Sequence, residues 1–436
     1  MGKDSILYYH YFMVIWSQLK KLAHRFGPGF ITGAADDDPS GVATYSIAGA
    51  RYGYRMSWLS LFLLPAMISI QEMCGRIGLV TGKGLAGVIK KYYSVKLMWF
   101  AVSLLAVANI INIGADLGIM AASLQMLFGL PFHFWLVSIA VLIVWMEIVI
   151  TYKNYVRVLK WLGLSLGVYV ITAFMVKQSW GEIMFMTLVP HIDFNLGYLM
   201  TMVGFLGTTI SPYLFFWQAS EEVEEKISEV GSRTEDFGQK SYTSRSRIAA
   251  MRWDTKTGMI FSNLMTFFIV LTTAATLNKN GIFNIETPQQ AALALRPLAG
   301  DFAYFLFAFG MIGIGLQSIP VLAGSLAYAV ADGLGIEEGL SKKFKQAKGF
   351  YIVILLATLI GALMNLIGVN TMQALYIAAV VNGVIAVPLI FIIIKMADDS
   401  RVVDGFKTQK RYKMIAWVTF GFMALSVLLM IGAAFT

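Results

Sequence analysis

The chain has 436 residues, 58% hydrophobic and only 14% charged, with a formal net charge of +9. Soluble domains carry about 25% charged residues, so this composition cannot clothe a water-exposed surface and excludes an ordinary soluble protein. A single cysteine, Cys74, excludes an intrachain disulfide and a cysteine-based zinc site, and the four histidines (His10, His24, His133, His191) lie near segment ends without ligand spacing.

A bilayer-crossing helix needs about 20 mostly apolar residues. Eleven segments qualify: 28–50, 56–76, 97–127, 134–152, 158–177, 197–220, 257–277, 302–330, 349–367, 371–395 and 413–435. The stretch 349–394 is uncharged but too long for one helix, and Gly368-Val369-Asn370 marks its turn. With the loops alternating, 29 of the 34 Lys and Arg residues fall on the side of the N-terminus. That asymmetry places the N-terminus in the cytoplasm and the C-terminus outside, in a multi-pass protein of the plasma membrane. It also explains the basic balance without nucleic acid. No cleavable leader is expected, because Lys3, Lys20, Lys21 and Arg25 surround only a weak apolar stretch. Residues 221–256, with Glu221, Glu222, Glu224 and Glu225, read as a solvated cytoplasmic loop, and 81–96 as the place of a short interfacial helix.

Two spans carry an interior proline among short polar residues. In the first, Asp36-Asp37-Asp38-Pro39-Ser40-Gly41 should unwind the helix around 36–41, since proline removes one N–H and disfavours the helical conformation of the residue before it. In the sixth, Pro212 follows Thr208, Thr209 and Ser211 within a span that has no charge. The two breaks lie five spans apart in segments of opposite direction. This is the pattern of an inverted repeat, 28–177 against 197–395, with span 413–435 added and a midplane site between the discontinuous helices. The whole chain is one all-α membrane domain.

Intramembrane aspartates cost roughly 2.5–3.5 kcal/mol each at mid-depth. Asp38, directly before Pro39, is the first choice as a ligand, and Asp37 and Asp36 follow. Gly41 belongs to the same site, and the hydroxyls of Thr208, Thr209 and Ser211 with carbonyls freed near Pro212 complete an oxygen-rich shell. Such a shell suits a hard cation, Mg²⁺, Mn²⁺ or Ca²⁺, rather than copper or zinc.

Gly27-Pro28-Gly29-Phe30 followed by Asp38-Pro39-Ser40-Gly41 resembles the first span of the Nramp (natural resistance-associated macrophage protein) metal-ion transporters. Ser211-Pro212-Tyr213 sits where that family has Met-Pro-His, Gln71-Glu72-Met73 through Lys83 resembles the end of its second span, and Ala115-Asp116-Leu117 its third. The resemblance implies a LeuT-like 5+5 inverted repeat with discontinuous spans 1 and 6 and an eleventh span. It retains the family aspartate as Asp38 and replaces the asparagine ligand by Gly41 and the methionine ligand by Ser211. The span-6 histidines fall on Tyr213 and Gln218, and a span-3 acid on Ile119. Span 9 has no basic residue between Lys348 and Lys395. These departures resemble the divergent Nramp-related branch associated with magnesium. They imply import of Mg²⁺, with Mn²⁺ as the second choice, by alternating access without proton coupling. Asp116, Tyr213, Gln218 and Asn382 are expected along an ion or proton path. Glu147 is a weaker candidate, while Asn109, Asn112 and Gln317 are expected to bond other helices.

Other readings are a proton- or sodium-coupled amino-acid or amine transporter of the same fold, a proton-coupled Mn²⁺ transporter, and a channel. An enzyme is not expected, because no nucleophile–base pair or phosphate-binding glycine loop is present. No cofactor and no obligate protein partner are expected beyond the transported ion and the lipid bilayer.

Overall fold

The computed structural model describes residues 28–149, 164–230 and 243–435. His10, His24, the basic residues at the N-terminus, Gly27, the first part of the span 158–177 and residues 231–242 lie outside the described residues. All regular structure among the described residues is helical.

The first span is two helices, α1 (Pro28–Asp36) and α2 (Pro39–Tyr52). A short 3₁₀ turn leads into α3 (Ser57–Thr81), then α4 (Leu85–Tyr92), α5 (Val95–Phe128) and α6 (Phe132–Val149) follow. Next come α7 (Gly167–Met175), α8 (Trp180–Leu188) and a second broken span, α9 (Leu196–Thr209) and α10 (Pro212–Val230). The chain continues through α11 (Arg245–Thr276), α12 (Ala303–Leu334), α13 (Lys348–Met364), α14 (Thr371–Asp398) and α15 (Lys410–Ala433). Nine helical stretches among the described residues are long and apolar enough to cross a membrane. The difference from eleven has two sources: α2 and α3 run together through their turn, and the fifth span is only partly described.

The two broken spans lie at the centre. In the stretch Leu196–Ile227, 94% of the most apolar window is buried, against 22% for α6 and 28% for α15. The outer helices α6, α13 and α15 turn Val137, Val141, Leu356, Leu359, Val418 and Leu425 outward, as expected of faces solvated by lipid tails. Close helix approach depends on glycine. A Cβ on Gly33 would stand 2.2 Å from the backbone of Gly258, and one on Gly207 2.1 Å from that of Gly383. These contacts bring α1 against α11 and α9 against α14 at backbone distance, as small residues allow in membranes.

Several details differ from the sequence expectation. The first break spans only Asp37 and Asp38, because Pro39 opens α2 and Gly41 already lies inside it. Proline at the first helical position loses no hydrogen bond. By contrast Pro65, Pro320 and Pro388 lie within unbroken helices, so proline alone does not open a span. Helices α10 and α11 extend to Val230 and from Arg245, well into the stretch read as a loop, and Glu221 and Glu222 are buried. The helix α8 had no counterpart in the sequence reading, since nine residues are too few to span. The short helix α4 occupies its expected place, with Leu85–Ile89 buried and Lys90 and Lys91 exposed.

Candidate cation site at two broken helices

The first break is built by Asp38. Its backbone is extended, and its Oδ1 accepts hydrogen bonds from the Gly41 N–H and the Ser40 hydroxyl, both at 2.7 Å. This is an N-cap, which satisfies one of the free donors at the start of α2. The cap uses one carboxylate oxygen; Oδ2 is buried without a hydrogen-bond partner. At the second break Ser211 donates to the carbonyls of Thr208 (2.7 Å) and Gly207 (3.1 Å), closing the end of α9. Thr208 is left with its own hydroxyl unpartnered and fully buried.

Gly41 is where the breaks meet. A Cβ there would lie 3.0 Å from Thr208 Oγ1 and 3.3 Å from Asp38 Oδ1. Both oxygens thus converge on a position that only a missing side chain leaves open. Tyr213, the second residue of α10, reaches back across the gap and donates to the Ala35 carbonyl at 2.9 Å. Asp116 of α5 accepts from Ser318 of α12 at 2.8 Å, and its Oδ1 has no hydrogen-bond partner. It lies close enough to Asp38 for the two charges to interact, and Tyr213 senses both.

Asp36 and Asp37 turn elsewhere. Ser262 of α11 donates to Asp36 Oδ2 at 2.6 Å and lies 3.3 Å from Asp37 Oδ1. Among the described residues no three carboxylate, imidazole or thiolate groups converge on one point. Gln218 lies further along α10, donating to Glu222 at 2.9 Å and packing beside Gly75 of α3. Asn382 of α14 is fully buried with both amide atoms unpartnered, next to Gly383 at the contact with α9. Glu147 is buried with neither oxygen bonded. Asn109 bridges α5 to α12, donating to Leu322 O and Ser325 Oγ at 2.8 Å. Among the described residues no Lys or Arg forms an ion pair with Asp36, Asp37, Asp38 or Asp116.

Residues 29–433 match the family described as natural resistance-associated macrophage protein-like, Nramp. The chain belongs to the Nramp family. A divalent metal cation transporter MntH of Brucella suis biovar 1 is 26% identical over 313 residues, covering 69% of this Nramp chain and 65% of that protein. The chain therefore spans just under two thirds of that relative. The MntH of Yersinia pestis (strain Pestoides F) is 28% identical over 314 residues, with 69% and 70% covered. Among solved structures, an Eremococcus coleocola manganese transporter superposes with a TM-score of 0.72 at 17% identity, covering 94% of this chain and 86% of that one. Mhp1, a nucleobase-cation-symport-1 family transporter, superposes with a TM-score of 0.58 at 12% identity, covering 94% and 91%. These likenesses are of fold, and the fold is LeuT-like.

Ser318, Ser262 and Thr266 were missed in the sequence. Their spans read as uniformly apolar, and only the four-residue spacing of Ser262 and Thr266, one polar side chain per turn on one face, carried a signal.

Proposed function

We propose that this Nramp protein imports a hard divalent cation, Mg²⁺ first and Mn²⁺ second, by alternating access about the two broken spans. The observation that supports this most is the set of buried oxygens left without hydrogen bonds near the breaks: Asp38 Oδ2, Thr208 Oγ1 beside Gly41, and Asp116 Oδ1 on α5. Two ionised carboxylates buried with no basic partner are costly unless a proton or a cation joins them, and a divalent ion joins both at once. Neither sulfur nor imidazole belongs to this set, and oxygen donors select hard ions.

The aspartate is both ligand and cap. A rearrangement of the break between inward- and outward-open states would therefore alter the ligand itself, which couples binding to helix motion. Mg²⁺ sheds water reluctantly, and the small Gly41 and Ser211 suit an ion that keeps part of its shell. Uncoupled transport is the simpler mechanism here, because the residue one turn beyond Asp116 is Ile119, fully buried and apolar. An interior-negative potential contributes about 4.6 kcal/mol per 100 mV to a dication, twice the single-charge value. An amino-acid substrate fits less well: its carboxylate needs a free helix N-terminus, and the start of α2 is occupied by the side chain of Asp38. The asymmetry of the Lys and Arg residues supports a plasma-membrane protein with its N-terminus in the cytoplasm.

The test is uptake into proteoliposomes holding a Mg²⁺ indicator and a pH indicator. The expected result is saturable influx, lost in Asp38→Ala, without acidification in proportion to metal. Undiminished influx in Asp38→Ala would overturn the site, and proton influx scaling with metal would overturn the uncoupled mechanism.

A further inference from the structure

The triplet of aspartates divides between two faces of the break. Asp38 is turned into α2 by its cap and looks toward Thr208. Asp36 and Asp37 look toward α11, where one hydroxyl, that of Ser262, lies within reach of both. The cause is local. Gly29 and Gly33 let the α1 backbone touch α11 at Thr255 and Gly258. One turn beyond that contact, Ser262 on α11 and Asp36 on α1 are brought side by side.

This second face has unmet bonding capacity. Asp36 Oδ1 and Asp37 Oδ2 are buried without partners, in side chains 0% and 2% exposed. Thr266, one turn past Ser262, is fully buried, and its hydroxyl faces the Asp37 carboxyl. Tyr45 closes the other side, held at 3.0 Å to Thr209 and within electrostatic range of both aspartates. Helix α1 ends at Asp36, so its last carbonyls bring the negative end of a half-helix dipole to the same place. Every group named is an oxygen that can accept, and no Lys or Arg among the described residues pairs with either carboxylate.

We propose that Asp36, Asp37, Ser262 and Thr266 form a second cation site, separate from the Asp38 site, that holds a second hard divalent ion. With both carboxyls ionised, a dication balances their charge, whereas one monovalent ion would leave a buried negative charge uncompensated. The two ions occupy neighbouring stations on opposite faces of one broken helix. Filling the α11 side fixes α1 against α11 while the Asp38 side exchanges its ion. The inference rests on the reading of this protein as a divalent-cation carrier.

The experiment counts Mn²⁺ bound to the purified full-length protein in lipid nanodiscs, by equilibrium dialysis and elemental analysis, with low-temperature electron paramagnetic resonance on the same samples. Two Mn²⁺ per chain are expected at saturation, with spectra broadened by their mutual dipolar interaction. Asp38→Ala and the double variant Asp36→Asn/Asp37→Asn should each retain one ion and show a sharp spectrum. Ser262→Ala/Thr266→Val leaves all charges in place and should weaken only one of the two ions, by roughly tenfold. If the asparagine variant does not fold, this hydroxyl variant decides alone. One Mn²⁺ per chain in the parent, or one shared ion lost in both aspartate variants, overturns the second site. So does occupation by Na⁺ in its place, seen as Na⁺ displacing one Mn²⁺. If Asp38→Ala keeps both ions while the hydroxyl variant weakens one, the second site stands and the Asp38 reading fails.

Discussion

Replacing Glu72 by glutamine tests how α3, α11 and the segment before α15 are held together. Glu72 on α3 is fully buried and pairs with Arg76 one turn on, itself 3% exposed, and with Arg252 of α11 at 3.1 Å. Arg76 also donates to the Phe406 carbonyl at 3.1 Å, in the segment before α15, and Arg252 lies over the Tyr412 ring at 5.5 Å. One carboxylate thus pairs with two guanidinium groups, and the network joins three parts of the chain. Its neutralisation keeps the shape but leaves Arg76 buried without a counter-charge, a loss on the order of 3–5 kcal/mol. Arg76→Met should cost less, about 1–3 kcal/mol, because Glu72 keeps Arg252 and only a carbonyl is left unpaired. In the double variant the remaining Arg252 is partly exposed and can turn to water, so the double loss should fall below the sum of the single losses. The assay is the fraction of monodisperse protein that survives heating in detergent, measured for all four proteins. A Glu72→Gln protein as heat-stable as its parent, or losses that simply add, would refute the claim that this network is a coupled unit.

Other outcomes concern the site and its frame. Asp116→Asn should lower Mg²⁺ uptake roughly tenfold, chiefly through a higher KM; unchanged kinetics would remove Asp116 from the ion's surroundings. Ser211→Met introduces a soft donor beside the second break and should raise the Cd²⁺-to-Mg²⁺ uptake ratio; an unaltered ratio would mean that residue 211 does not face the ion. Gly33→Ala forces a methyl against the Gly258 backbone and should destabilise the protein by about 1–3 kcal/mol, seen as earlier loss of the monodisperse peak on heating.

The two breaks were legible because proline beside short polar or acidic residues in an otherwise apolar span has few structural explanations. Their width was not, since Asp38 acts as a cap and lets α2 begin at once. That the triplet supplies only oxygen donors was legible. Its division into two faces depends on the contact of Gly33 with Gly258, residues 225 positions apart in a chain whose spans otherwise look alike. Asp116 stood out as a lone charge in its span, whereas its partner Ser318 is one hydroxyl within a long apolar run. Glu221 and Glu222 looked solvated because charge runs usually are; their helix packs against α3 and α12 and buries both.

Anomalous X-ray scattering from Mn²⁺ in crystals of the full-length protein tests the central claim most directly. The account expects a peak within ligand distance of Asp38 Oδ2 and Thr208 Oγ1, lost in Asp38→Ala. Peaks confined to the acidic surface at the end of α10, with none beside Asp38, would contradict it.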